Sequence, residues 1–245
     1  MSRKALFSTA LTLVVALGLA ACDGVPTEAE KQSVQQARVE AAAQKQLENY
    51  HQLKATGRAD LALNIADHVL KNFPQTRAAA ELKPDVEALR AQVGEERKMQ
   101  RLKGLWVYHD EHDAEAGGRV RSAYIFAKEA LGPAKNGEPA PRGRLVLRRH
   151  PQWGDDVYLL SERGPFTCTS PCRLVVHFDG AAPREVDGEI PETGEHAIFV
   201  KDFPHFAANL PGAQVVRIET TLKEAGPVTM EFEVGGYDPQ TIGTR

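Results

Sequence analysis

Catalytic signatures are what this sequence lacks. It has no GxSxG elbow, no phosphate-cradling Gly-Lys-Ser/Thr loop and no dinucleotide fingerprint after a strand. No constellation of residues calls for an enzyme, and no cofactor is implied. Charge of one sign is lacking too. With 30 basic against 33 acidic residues the net charge is −3, which gives no concentrated basic face for nucleic acid. No internal repeat array is visible. Cysteine is scarce at three residues, and the longest uncharged run lies at the N-terminus.

That run, Ala5 to Ala21, follows Arg3 and Lys4 and ends in small residues. Its length lies at the lower edge of a membrane-spanning helix, so the basic start and small-residue exit read as a secretory signal. The exit, Leu19-Ala20-Ala21-Cys22, resembles the bacterial lipoprotein lipobox. The resemblance implies cleavage before Cys22, a thioether-linked diacylglyceryl group on its sulfur, and acylation of the new N-terminus. Several acyl chains anchor a protein durably where one does so only marginally. Asp23 resembles an inner-membrane retention signal of some bacterial lipoproteins. The expected location is therefore the cell envelope, lipid-anchored and facing the periplasm, with Asp23 leaning toward the inner membrane.

Four regions are expected: a signal over 1–21, an anchor and linker over 22–27, a helical segment over 28–103, and a β domain over 104–245. The helical segment has no Trp, a single Phe and a single Tyr, and is rich in the strong helix formers Ala, Gln, Glu and Lys. A first helix closes at Gly57. Asp60 is placed to cap a second, whose Leu61, Ala62, Ile65, Ala66, Val69 and Leu70 form one stripe. Pro74 ends that helix. A third carries Leu82, Val86, Leu89 and Val93, with Pro84 either kinking it or marking its start. Around Gly57, Ala62, Ala66, Phe73, Pro74 and Ala79 the segment resembles a tetratricopeptide unit. Such arrays need about three units for a self-supporting core, so a helical hairpin acting as stalk or packing element is the simpler expectation.

After Gly104 both Trp residues, seven of the nine Phe and twelve of the fifteen Pro appear. Eight short period-two runs lie between Gly, Pro and Asn turns, among them "SAYIFAK", "RLVLRR", "DVYLLS" and "VTMEFEV". They predict an α+β chain whose C-terminal part is an antiparallel β-sandwich. "FPHFAANL" is the one stretch there that suits a short helix.

Cys168 and Cys172 flank Thr169-Ser170-Pro171, between "PFTC" and "CRLVVHF" read as consecutive strands. A three-residue hairpin loop would put the two thiols opposite each other, and an exported chain meets an oxidising compartment. Redox chemistry of the thioredoxin kind needs two intervening residues, and zinc needs two further ligands with no cysteine left once Cys22 is lipidated. A disulfide staple contributing about 2 kcal/mol is expected.

"YHDEHD" supplies metal-type ligands in His109, Asp110, Glu111, His112 and Asp113. Histidines three apart on a strand point to opposite faces, so metal binding would require the segment to bend; otherwise it is a polar strand end. No metal is assigned, and these residues remain candidates.

Finally, Trp106, Tyr108, Asp110, Leu145, Leu147, Arg148, Val157, Tyr158, Leu159, Phe166, Cys168, Cys172, Val176, Phe178 and Asp179 form a pattern, continued by hydrophobic positions from Ile198 to Gly235. It resembles exported bacterial β-domains of mostly unassigned activity, distantly similar to the VasI-like accessory proteins of type VI secretion. The resemblance implies fold and compartment and brings no catalytic residues. The expected role is a protein-interaction or assembly module in the envelope, accessory to a secretion machine; the alternative is a periplasmic ligand- or metal-binding protein. Replacing Cys22 with Ser should abolish processing and move the protein from the membrane to the soluble fraction. Intact mass and fractionation check this, and an unchanged mass and partition would remove the anchor.

Overall fold

The computed structural model describes residues 25–135, 137–192 and 196–243. The expected signal, Cys22 and Asp23 lie outside the described residues. Among those described, no helix is long and apolar enough to cross a membrane. The chain is α+β, in two compact units that divide between Glu87 and Ala88.

The first unit holds α1 (Glu28–Ala55), α2 (Ala59–Asn72) and α3 (Arg77–Leu82). Thr27 starts α1 reciprocally: its hydroxyl accepts from the Glu30 amide, and the Glu30 carboxylate accepts from the Thr27 amide at 2.7 Å. Gly57, at φ 72°, makes the turn into α2. Asp60 does not cap α2. The helix begins two residues earlier, at Ala59 with Arg58 at the cap position, and Asp60 sits in its first turn, where its charge meets the helix dipole. Thr76 caps α3 by accepting from the Ala79 amide at 3.2 Å, and the Arg77 amide donates to Glu40 of α1. Against α1, with its buried Ala43, Leu47 and Tyr50, pack α2 and α3 with Ala62, Ala66, Val69, Ala79 and Leu82.

Pro84 does more than kink the third helix. It lies in the turn between α3 and α4 (Val86–Lys103), so Leu82 belongs to one helix and Val86, Leu89 and Val93 to the next. The unit boundary falls inside α4 rather than at 103, because the end of α4 is bound into the β unit. Arg101 grips Glu233 with two bonds of 3.0 and 2.8 Å. Gly236 lies so close to Leu102 that a Cβ there would stand 2.3 Å from its carbonyl carbon.

The second unit adds β1 (Trp106–Asp113), β2 (Gly118–Ala130), β3 (Arg142–His150), β4 (Gly154–Ser161), β5 (Arg173–Phe178), β6 (Arg184–Glu189), β7 (Ala197–Val200), α5 (Phe203–Asn209), β8 (Val216–Leu222) and β9 (Gly226–Phe232). All neighbours are antiparallel, in the order β1-β2-β3-β4-β7-β6-β5-β8-β9. Hydrogen bonding thus gives one continuous nine-stranded sheet rather than two separate ones. The sheet coils until β9 comes back beside β2, where Lys128 of β2 donates to Glu231 of β9 at 3.1 Å. Its concave side is the core: Ile125, Leu145, Leu147 and Leu159 from one half, Val216, Ile218, Met230 and Phe232 from the other. Trp106 closes this core, donating its Nε1–H to the Val234 carbonyl and lying 4.9 Å from the Tyr237 ring. Burial pushes the Tyr237 hydroxyl up to about 12.

Glu231 is held from two strands, by Lys128 and by Arg217 at 2.6 Å, and these bonds keep its carboxyl below the usual carboxylate range. A depressed carboxylate stabilises the fold above its unfolded pKa, and that contribution vanishes as pH falls through the folded value. Denaturant midpoints should therefore drop more for the wild type than for Glu231→Gln between pH 7 and pH 3, with the two proteins converging in acid. Parallel losses would contradict this assignment.

Candidate functional site

A sheet with one buried face ordinarily turns polar residues to water. Here the outward face of β1 to β4 and β7 does not follow that rule. Its register aligns Val107, Tyr124, Val146, Tyr158 and Phe199 in a single row across five strands. On one side of the row stand Phe126, Arg144, Leu160 and Ala197, and on the other Ser122, Arg148 and Asp156. The row forms because β2 and β4 carry apolar or aromatic residues in both phases of the alternation, while β3 sets Val146 between the outward Arg144 and Arg148. Ile125, Leu145, Leu147, Val157 and Leu159 take the inward positions, leaving the intervening residues outside.

Arginines lie between the rings. The Arg144 guanidinium is 5.6 Å from the Tyr124 ring and 5.2 Å from Phe126, while Arg142 is 4.7 Å from Phe126. Arg148 sits between Trp153 at 5.1 Å and Tyr158 at 5.4 Å. The Nε atoms of Arg144 and Arg148 are buried without a hydrogen-bond partner, so it is the ring faces and terminal nitrogens that hold these side chains. Arg144 reaches Glu162 at 3.3 Å and Arg148 reaches Asp156 at 2.7 Å.

At the β3–β4–β7 end the face deepens into an open hollow of about 480 Å³. Tyr158 and Phe199, with ring centres 5.1 Å apart, Trp153 and Arg148 line it. Asp156, Glu189 and Lys201 complete its rim, with Lys201 bonded to Glu189 at 2.7 Å. Burial raises the Tyr158 pKa, so its hydroxyl stays protonated at neutral pH. Trp153, in the turn joining β3 to β4, is 65% exposed yet fixed in place. Its ring stacks on His150 at 3.8 Å, and the Nδ1 of that buried histidine accepts from the amides of Gln152 and Trp153.

The residues singled out from the sequence lie elsewhere. Cys168 and Cys172 are joined by a disulfide, but not across a hairpin. Phe166 bridges to Leu222, and the Thr167 amide donates to Thr221, so "PFTC" follows the end of β8 instead of pairing with β5. The segment from His109 to Asp113 stays extended in β1. His109 stacks on Tyr124 while Asp110 points to the other face and binds Arg119 at 2.6 Å. Among the described residues no group of three or more His, Cys, Asp or Glu is gathered as a metal site. Of the remaining histidines, His177 bonds Glu219 at 2.8 Å and His196 bonds the Ser161 carbonyl. Sequence reasoning missed the outward row, although doubly apolar strands such as "SAYIFAK" and "DVYLLS" carried its signal.

No family model matches the chain, and no curated protein matches it. Among solved structures it is similar to invasion associated protein B from Bartonella henselae, at 14% identity over 54% of this chain and 85% of that one. The TM-score is 0.34, a level of likeness that carries no argument.

Trp106 is 5% exposed and Trp153 65%, so acrylamide should quench the native emission in two distinct fractions. Trp153→Phe should remove the readily quenched one. Uniform quenching of both rings would contradict the placement of Trp153.

Proposed function

We propose that the protein is a lipid-anchored, periplasm-facing protein of the cell envelope whose β unit docks a protein partner, in a role accessory to a secretion machine. The single observation that carries the docking reading is the outward row of the sheet. Tyr124 and Phe126 stand half-buried on a face that should be polar, with Arg142 and Arg144 laid over the rings. Tyrosine and arginine dominate the energetics of protein interfaces, because they combine large area with hydrogen bonding at modest entropy cost. Within this reading the two halves of the coiled sheet act as the packed layers of a sandwich, and the docking face is the outside of one layer. The lipobox resemblance supplies the anchor, and Asp23 favours retention at the inner membrane. The second reading, a periplasmic ligand-binding protein, is favoured by the hollow beside Trp153.

A photo-crosslinking amino acid placed at position 124 in cells should capture a distinct protein, whereas one at the exposed Glu185 of β6 should not. Tyr124→Ala should weaken the purified pair by about 30-fold, the usual effect of losing an interface anchor worth about 2 kcal/mol. Equal capture at both positions, or none at 124, would overturn the assignment of this face.

A further inference from the structure

The hollow at the β3–β4–β7 end has a chemistry of its own, independent of the docking half around Tyr124. Among the described residues that line it, two cations and two carboxylates are mutually paired: Arg148 with Asp156, and Lys201 with Glu189. Their sum is zero. An anion or a cation would have to displace one member of an ion pair, leaving the other uncompensated. A purely apolar ligand would strip water from four charged groups without replacing its hydrogen bonds. The ligand that fits is neutral, rich in hydroxyls that both donate and accept, and apolar on at least one flat face.

We propose that this hollow binds a neutral pyranose chain. Trp153, stacked on His150 on one side and still 65% exposed, offers its open ring surface to the axial C–H side of a sugar, where the negative face of an aromatic ring meets weakly positive hydrogens. Sugar hydroxyls donate to Asp156 and Glu189 and accept from Arg148 and Lys201, which leaves both ion pairs intact while adding charge-assisted bonds. The platform is set before binding, since His150 fixes the Trp153 ring at an interplanar angle of 10° and is itself held by two backbone amides. A pre-set ring loses little entropy when a ligand lands on it. The hollow is open to solvent along the sheet, so a chain can lie across it with one or two units engaged. The role proposed is binding, with Asp156 held by Arg148 and Glu189 by Lys201.

The test titrates the full chain with cellohexaose, maltohexaose and chitohexaose, reading heat and Trp fluorescence, with a polygalacturonate oligomer as the anionic comparator. At least one neutral hexamer should bind saturably with a Kd of about 1 mM or tighter, the range in which isothermal heats are measurable. The anionic oligomer should bind more weakly. Trp153→Ala should weaken binding at least about tenfold, as expected for loss of a stacking platform, while Trp153→Phe retains most of it and Tyr124→Ala leaves it unchanged. Thermal melts confirm that each variant is folded. Absence of saturation with all three neutral hexamers overturns the proposal, as does Trp153→Ala binding as tightly as wild type or a preference for the anionic chain. Protein capture at position 124 is read separately, so either assignment can fall without the other.

Discussion

The register of the coiled sheet is the constraint on which the rest depends. Side chains alternate with a strict period of two, so a slip of one residue in β3 would send Leu145 and Leu147 into water and Arg144 and Arg148 into the core. Neither is tolerable, and the inward residues therefore dictate what stands outside. The outward row is a by-product of core packing in the sense that its alignment across five strands is fixed by residues it never touches. The coil of the sheet adds a second lock. Glu231 of β9 is bonded to Lys128 of β2 and to Arg217 of β8, joining strands that are far apart in the pairing order.

Most elements were legible because hydrophobic periodicity and punctuation act locally. Gly57, Pro74 and Pro84 mark helix ends through backbone conformation alone, and eight strands announce themselves as alternating runs. β6 did not, since in Arg184–Glu189 only Val186 is an apolar side chain that is buried. Pairing was harder to read. "PFTC" and "CRLVVHF" look like a hairpin because they are adjacent, yet the first follows β8, whose sequence lies about fifty residues further on. Long-range choices of this kind depend on which surfaces fit in three dimensions, and a local pattern holds no record of them. The same holds for the division between the units, where Arg101 at the end of α4 finds Glu233 more than a hundred residues later.

The candidate site was illegible for a related reason. Its members come from β3, the turn after it, β4, β6 and β7, with no shared spacing in the chain. What sequence reasoning selected instead was a compact cluster, "HDEHD", and compactness proved a poor guide. An extended strand separates neighbours by sending them to opposite faces, so five potential ligands in a row are divided rather than gathered. Rings and guanidinium groups brought together across strands make a more organised surface than charged residues adjacent in sequence.

That divided cluster has a consequence for how molecules of this protein meet one another. β1 ends the sheet, and an end strand exposes backbone donors and acceptors that can template a strand from a second copy. His109, Asp110, Glu111 and His112 are all exposed on it. Two such strands brought edge to edge in parallel register would set Asp110, Glu111 and Asp113 against their counterparts over the second half of the strand. Charge of one sign on that half of the edge works against extension of the sheet from molecule to molecule, a use for the segment that looked like a metal trap.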